Sequence, residues 1–447
     1  MPTLVVLALL GSVAHADVIQ EIVVEKNEKT TSETVALIAQ IDVGDDWTPD
    51  MGDAVKARLV SSGLFREVDL YTTQGKGGVV LHLLVEDKHS WVIAPTFYTQ
   101  PTNTGGGLGF GENNLFGSGQ KLLLYGQIAT GDSFFVGAWV IPSIGGSRFY
   151  AQIDTIIKKS RVIEYAYPTK YLDDPEPVRQ STIDYDNVGL RLGVEMIRGF
   201  RLETRLRGAH VMYPGSKLKY LGDPNDPAAQ AHALGQSPGD PLQKPGMEGW
   251  DVSNEWTIAF DNRANWYGVN TGRRLALTYE YTVPKLGSDF HYYEVLFSAY
   301  KAWQVLERHN LVFKLHLDYG HHMPFQQEFT SGGTAMRGYL NDQFRGDSRM
   351  LANLEYSLPL FTISGLSVRG LGFFDSSYTT YLSADSNRER NYLLNPEQRG
   401  LRPFKNSVGV GTRLYLRQIV LPLLGVDFGY GLEARDFQVY LAIGLTD

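Results

Sequence analysis

The chain has 447 residues, with 41 Lys and Arg against 49 Asp and Glu, a net charge of −8, and no cysteine. Zero Cys excludes a disulfide scaffold, a thiol nucleophile, Cys-ligated zinc and an iron–sulfur cluster. The mildly acidic balance offers no basic stripe for nucleic acid, and beyond the first dozen residues no apolar run is long enough for a membrane helix. With 47 Gly, 25 Tyr and 21 Phe, the chain reads as mostly β-strand.

The first segment reads as an address. Leu4 to Leu10 (LVVLALL) is an apolar core too short to span a bilayer, and Ala14-His15-Ala16 is a small-x-small cleavage pattern. Residues 1–16 are therefore expected to be an export signal with Asp17 as the mature start. No basic residue precedes the apolar core, which leaves a misplaced start codon open. Export points to the periplasm, the outer membrane or the medium.

Residues 17–88 predict a small α/β module in the order β-α-α-β-β. Val18, Ile22 and Val24 partly alternate in a first strand. A first helix is expected over Ser32–Gln40. A second is punctuated by Thr48 as N-cap, Pro49 in the first turn and Gly63 as the stop. Strands then follow with Val68 and Leu70, and with Val79–Val85.

From about Trp91 the period changes to two. Val188, Leu190, Leu192, Val194 and Met196 lie opposite Gly189, Arg191, Gly193 and Glu195. Met350, Ala352, Leu354, Tyr356 and Leu358 lie opposite Arg349, Asn353 and Glu355, and Val408, Val410, Thr412, Leu414 and Leu416 opposite Gly409, Gly411 and Arg413. An apolar outer face with an inner face of Gly, Arg and Glu suits a barrel in lipid with a wet interior. Lipid demands closure, because an open edge would leave backbone groups unsatisfied. Short turns at Asn114–Gly119, Pro142–Ser147, Arg198–Phe200, Asp261–Gly272, Glu307–Asn310, Phe361–Gly365 and Arg417–Pro422 alternate with long links at about 159–183, 213–249, 325–348 and 384–405. At about 22 residues per strand and link, residues 89–447 give an all-β transmembrane barrel of about 16 antiparallel strands.

Several phrases carry a family resemblance. Ile22-Val23-Val24, the run Leu59-Val60-Ser61-Ser62-Gly63-Leu64-Phe65-Arg66-Glu67-Val68, and Leu83-Leu84-Val85-Glu86-Asp87 resemble a POTRA (polypeptide-transport-associated) domain. Ser331-Gly332-Gly333-Thr334-Ala335-Met336-Arg337-Gly338-Tyr339 looks like the RGY loop of the BamA/TamA/Sam-like outer-membrane assembly and translocation family, the bacterial surface antigen type. Phe374-Asp375 resembles that family's F-D-x-G strand, although Ser376-Ser377 follow in place of the glycine. Asn114, Leu115, Phe116, Gly117 and Gly119 match its NLFGxG turn, and Asp261 with Arg263 its mid-barrel turn.

The resemblance implies that the RGY loop folds into the barrel lumen, where Arg337 meets the carboxylates of Asp375 and Glu355, with Gly338 and Tyr339 completing the motif. The alternative is an idle arginine on an exposed loop. It also implies a lateral seam between the first and last strands. Pro95, which lacks a ladder N–H, and Gly444, which adds no packing, mark that seam; Pro95 could equally just end a strand. The implied partners are outer-membrane lipids, unfolded outer-membrane or secreted polypeptides, and periplasmic accessory proteins. No nucleic acid and no cofactor are expected.

No catalytic site emerges. There is no G-x-S-x-G, H-E-x-x-H or P-loop in the sequence. Gly105–Gly111 alternates like a strand with no helix after it. His316, His321 and His322 sit where a strand exits and read as solvated rather than metal-ligating. The expected function is assistance of outer-membrane protein insertion, or translocation of polypeptide, through the seam with the POTRA module docking clients. A dedicated two-partner secretion pore and a passive surface barrel are the alternatives.

Overall fold

The computed structural model describes residues 17–166, 175–197, 199–218, 245–266, 269–363, 366–382, 404–416 and 422–443. The expected export signal, Gly444 and most of the 384–405 link lie outside them, as does the turn between 416 and 422. The chain divides into two compact units: one takes in residues up to Trp91 together with Glu112–Lys121, the other Val92–Gly111 and everything after Leu122.

In the first unit, helices Ser32–Ala39 and Pro49–Ser61 accompany a four-stranded sheet. Strand Asp17–Glu25 runs parallel to Gly78–Asp87, which pairs antiparallel with Phe65–Gly75. Thr31 caps the first helix, its hydroxyl accepting from the Thr34 amide at 3.2 Å. Thr48 precedes the second helix without a side-chain cap, and Pro49 is pre-set for its first turn. Val35, Val55, Leu59, Leu81, Leu83 and Val85 are fully buried, each such side chain contributing about 1.5–3 kcal/mol.

Two details differ from expectation. Ile19, not Val18, enters the core, because a register shift between Ile19 and Glu21 changes the strand's parity before Ile22 and Val24. A short strand, Asp46–Trp47, adds to the sheet edge; two residues carry too little pattern to announce themselves.

The second unit is a closed antiparallel barrel of sixteen strands. It runs from Trp91–Gln100 to Asp436–Ile443, and Ala264–Trp266 continues the position held by Gly249–Asp261. The apolar parity faces out: Val188 is 57 % exposed and Val410 62 %, which in a membrane protein is lipid-facing surface. Glycines on the inner parity clear room for large neighbours. A Cβ on Gly409 would lie 2.2 Å from the Phe373 ring, and one on Gly193 2.2 Å from that of Tyr150. Gly105 and Gly107 belong to strand Asn103–Leu115, where the chains come equally close.

Residues 159–183, expected as a link, are mostly strand. Phe149–Ala166 and Glu176–Ile197 pair up to Ala166 opposite Glu176. Their polarity misled because charged residues there point inward and pair with one another, as Arg179 does with Glu164. Likewise Phe200–Leu218 extends into the next expected link.

Candidate functional site

The long segment between strands Asn310–His321 and Ser348–Ile363 lies against the inner wall. Its Arg337 is 4 % exposed. The guanidinium forms a fork with Asp375, Nε to Oδ2 at 2.9 Å and Nη2 to Oδ1 at 2.8 Å. Nη1 reaches Glu355 Oε1 at 2.7 Å and Asp427 Oδ2 at 3.4 Å. The Arg337 amide adds a bond to Asp375, and Asn353 donates to the same carboxylate at 2.9 Å. The Phe373 ring lies 3.5 Å from the guanidinium carbon. A planar cation with five donors matches this set of oxygens and ring face.

Strand parity explains the convergence. Asp375 and Phe373 share the inner face of Leu366–Thr380, Glu355 comes from Ser348–Ile363, and Asp427 from Pro422–Gly431. Gly338 needs its glycine: its φ is +95°, and a Cβ there would sit 2.6 Å from the Gly431 amide. Gly429 and Gly431 give the loop a smooth wall to lie on. Tyr339 is 1 % exposed, its hydroxyl 2.5 Å from Glu433 and 3.0 Å from the Asn406 carbonyl.

The same loop spans the place where the barrel closes. Tyr440 of the last strand accepts from the Gly338 amide at 3.0 Å and donates to the Tyr339 carbonyl at 2.8 Å. Asn341 donates to Gln100 of the first strand at 2.7 Å. Among the described residues, the first and last strands pair over Phe97–Thr99 with Leu441–Ile443. Pro95 is exposed and lies within the first strand, two residues before Phe97.

A second anchor holds the beginning of the loop. Phe325 lies 4.2 Å from the Arg345 guanidinium and 5.7 Å from that of Arg179. Arg345 pairs with Glu328 at 3.1 Å, and Gln327 donates to Asp251 at 3.1 Å. Sequence reasoning missed this anchor, as it missed Asp427 and Tyr440. Their signal was a single polar group on the inner parity of a strand, which does not say which loop it meets.

The turn residues are placed elsewhere. Asn114 accepts from the Gly119 amide at 2.8 Å and donates to Thr30 at 2.7 Å, within the first unit. Leu115 ends its strand, Phe116 and Gly117 take φ of 58° and 71°, and a Cβ on Gly117 would fall 2.0 Å from the Lys29 carbonyl. Asp261 and Arg263 form a two-bond pair at 2.9 and 2.8 Å at the foot of the barrel wall. His321 and His322 stack edge to face at the exit of strand Asn310–His321.

Comparison with known proteins supplies a family. The Omp85 superfamily domain matches residues 114–440. The solved structure of BamA from Haemophilus ducreyi lacking POTRA domains 1–3 is similar at 14 % identity and a TM-score of 0.63, covering 96 % of this chain and 84 % of that one. CdiB from Acinetobacter baumannii is similar at 13 % identity and a TM-score of 0.64, covering 96 % and 74 %. CdiB from Escherichia coli is similar at 13 % identity and a TM-score of 0.58, covering 99 % and 93 %. No curated protein sequence matches the chain.

Proposed function

The chain belongs to the Omp85 superfamily, a group of non-enzymatic outer-membrane barrels, and we propose that it assists insertion of outer-membrane proteins by opening its lateral seam to an incoming strand. The observation that carries this reading is that one lumen loop bonds both sides of the junction between first and last strands, Gly338 and Tyr339 to Tyr440 and Asn341 to Gln100. An edge freed there is a template for another chain. The POTRA-like unit, with its own open sheet edges, receives the client in the periplasm.

In this reading the RGY loop stabilises the closed state. Arg337 fastens the loop to Asp375 and Glu355, while Tyr440 and Asn341 hold the two sides of the seam against it. Opening then requires only the seam bonds and those loop contacts to exchange, with the other fifteen strand junctions left intact.

A dedicated polypeptide-secretion pore is the second reading, favoured by the equal structural likeness to the CdiB barrels. Depletion of the protein followed by outer-membrane and secretome proteomics separates the two. Broad loss of barrel proteins is expected for an insertase. Loss of one secreted protein with an unchanged outer membrane would replace it with the pore.

A further inference from the structure

Among the described residues, the inner wall contains an arginine with no carboxylate within ion-pair distance. Arg369, on strand Leu366–Thr380, is 3 % exposed and shares the inner parity of Leu371, Phe373 and Asp375. Its Nη2 donates to the Arg308 carbonyl at 2.8 Å and to Ser357 Oγ at 2.9 Å, with the Ser357 carbonyl at 3.3 Å. All three acceptors are neutral. Its Nε is buried without any partner. Arg179, Arg207, Arg337, Arg345 and Arg413, equally at home on this wall or its loop, each have a carboxylate.

The neighbour makes the deficit larger. Arg413 stands directly opposite Arg369 in the ladder and is already engaged by Asp427 at 2.5 and 2.8 Å. Like charges opposite each other repel, and a buried guanidinium calls for a counter-charge. Both line a lumen cavity of about 1350 Å³; of its nine Lys and Arg side chains, seven lie within ion-pair distance of a carboxylate. Lys314, on the same wall, also has no carboxylate within ion-pair distance among the described residues.

We infer that Arg369, with Arg413 opposite it, is an oxyanion site of the lumen that takes side-chain carboxylates of an acidic polypeptide segment. The guanidinium fork fits a carboxylate's two oxygens, and the buried Nε, unpartnered among the described residues, is its unused donor. The site faces the lumen and not the apolar outer surface, which favours a threaded peptide over a lipid headgroup. This occupant rests on the reading that the barrel handles polypeptide clients.

The test uses the full chain in neutral detergent and fluorescein-labelled hexaglutamate, followed by anisotropy. Binding is expected to weaken with salt, to be absent for hexaglutamine, and to fall at least about tenfold in Arg369→Gln, since a charged hydrogen bond is lost. Ser357→Asp is the second variant, because it sets a carboxylate beside Nη2 and should abolish binding without loss of fold. Unchanged affinity in both folded variants, or no binding to the native chain, would overturn the site. Displacement of the peptide by phosphatidylglycerol in the micelle would overturn the peptide as its occupant. Peptide binding is read independently of the depletion phenotype, so this proposal and the insertase reading fail separately.

Discussion

At Arg337 one guanidinium faces three carboxylates, those of Asp375, Glu355 and Asp427. Removing it strands Asp375, which is fully buried, and breaking such a pair costs about 3–5 kcal/mol. Arg337→Ala is therefore expected to lower the temperature at which the barrel loses heat-modifiable gel mobility and to expose residues 331–343 to protease. Wild-type behaviour in both assays would remove the loop lock. Gly338→Ala should act in the same direction, because a positive φ and a Cβ 2.6 Å from the Gly431 amide force the loop off the wall. Arg337, Asp375 and Glu355 were legible from motif and parity together. Asp427 and Tyr440 were not, because a single chain's alternation gives a residue's face but not the strands that end up across the lumen from it.

At the scale of elements, strand Gly78–Asp87 ends in a carboxylate that organises residues 28–30. Asp87 accepts from the amides of Glu28, Lys29 and Thr30 and from the Thr30 hydroxyl. Partial burial pushes its carboxyl up, but the Thr30 hydroxyl and those amides outweigh it and hold the group below the ordinary carboxylate range. A lowered folded value means the stabilisation is complete above the unfolded value of about 3.9 and is lost as pH falls through the folded one. Protection of the 28–30 amides from hydrogen exchange, corrected for intrinsic rate, should thus fall on acidification below about pH 4. In Asp87→Asn it should be low at every pH; an acid-insensitive wild type would contradict the assignment. The element boundaries teach a related lesson. Helix Pro49–Ser61 was legible because Thr48, Pro49 and Gly63 each act locally, whereas strand Phe149–Ala166 hid its end behind charged residues such as Lys158 and Glu164, whose inward placement depends on closure. The seam belongs to this scale too. Tyr440→Phe removes a hydroxyl that bonds both Gly338 and Tyr339, so loop protease sensitivity should rise while the barrel stays closed to heat. No change in sensitivity would detach the loop from the seam.

For the molecule as a whole, sixteen strands with apolar residues outside and Gly, Arg and Glu inside place the chain in a bilayer, and the strand count followed from nothing more than period two and alternating link lengths. What composition could not convey is how unevenly the cylinder is fastened. Most junctions are long ladders, such as Glu176–Ile197 with Phe200–Leu218. The junction of first and last strands, Phe97–Thr99 with Leu441–Ile443 among the described residues, is in addition spanned from inside by the loop that carries Arg337. The proposed function takes that junction as the edge at which a chain is admitted. Ala442 stands opposite Tyr98 in the seam register, and the native chain has no cysteine, so Tyr98→Cys with Ala442→Cys introduces a single pair at that edge. The decisive measurement is growth and outer-membrane barrel content in cells depleted of the native protein and supplied with this double variant, oxidised or reduced. The account predicts loss of both when the cystine forms and recovery on reduction; full activity with the seam locked would contradict it.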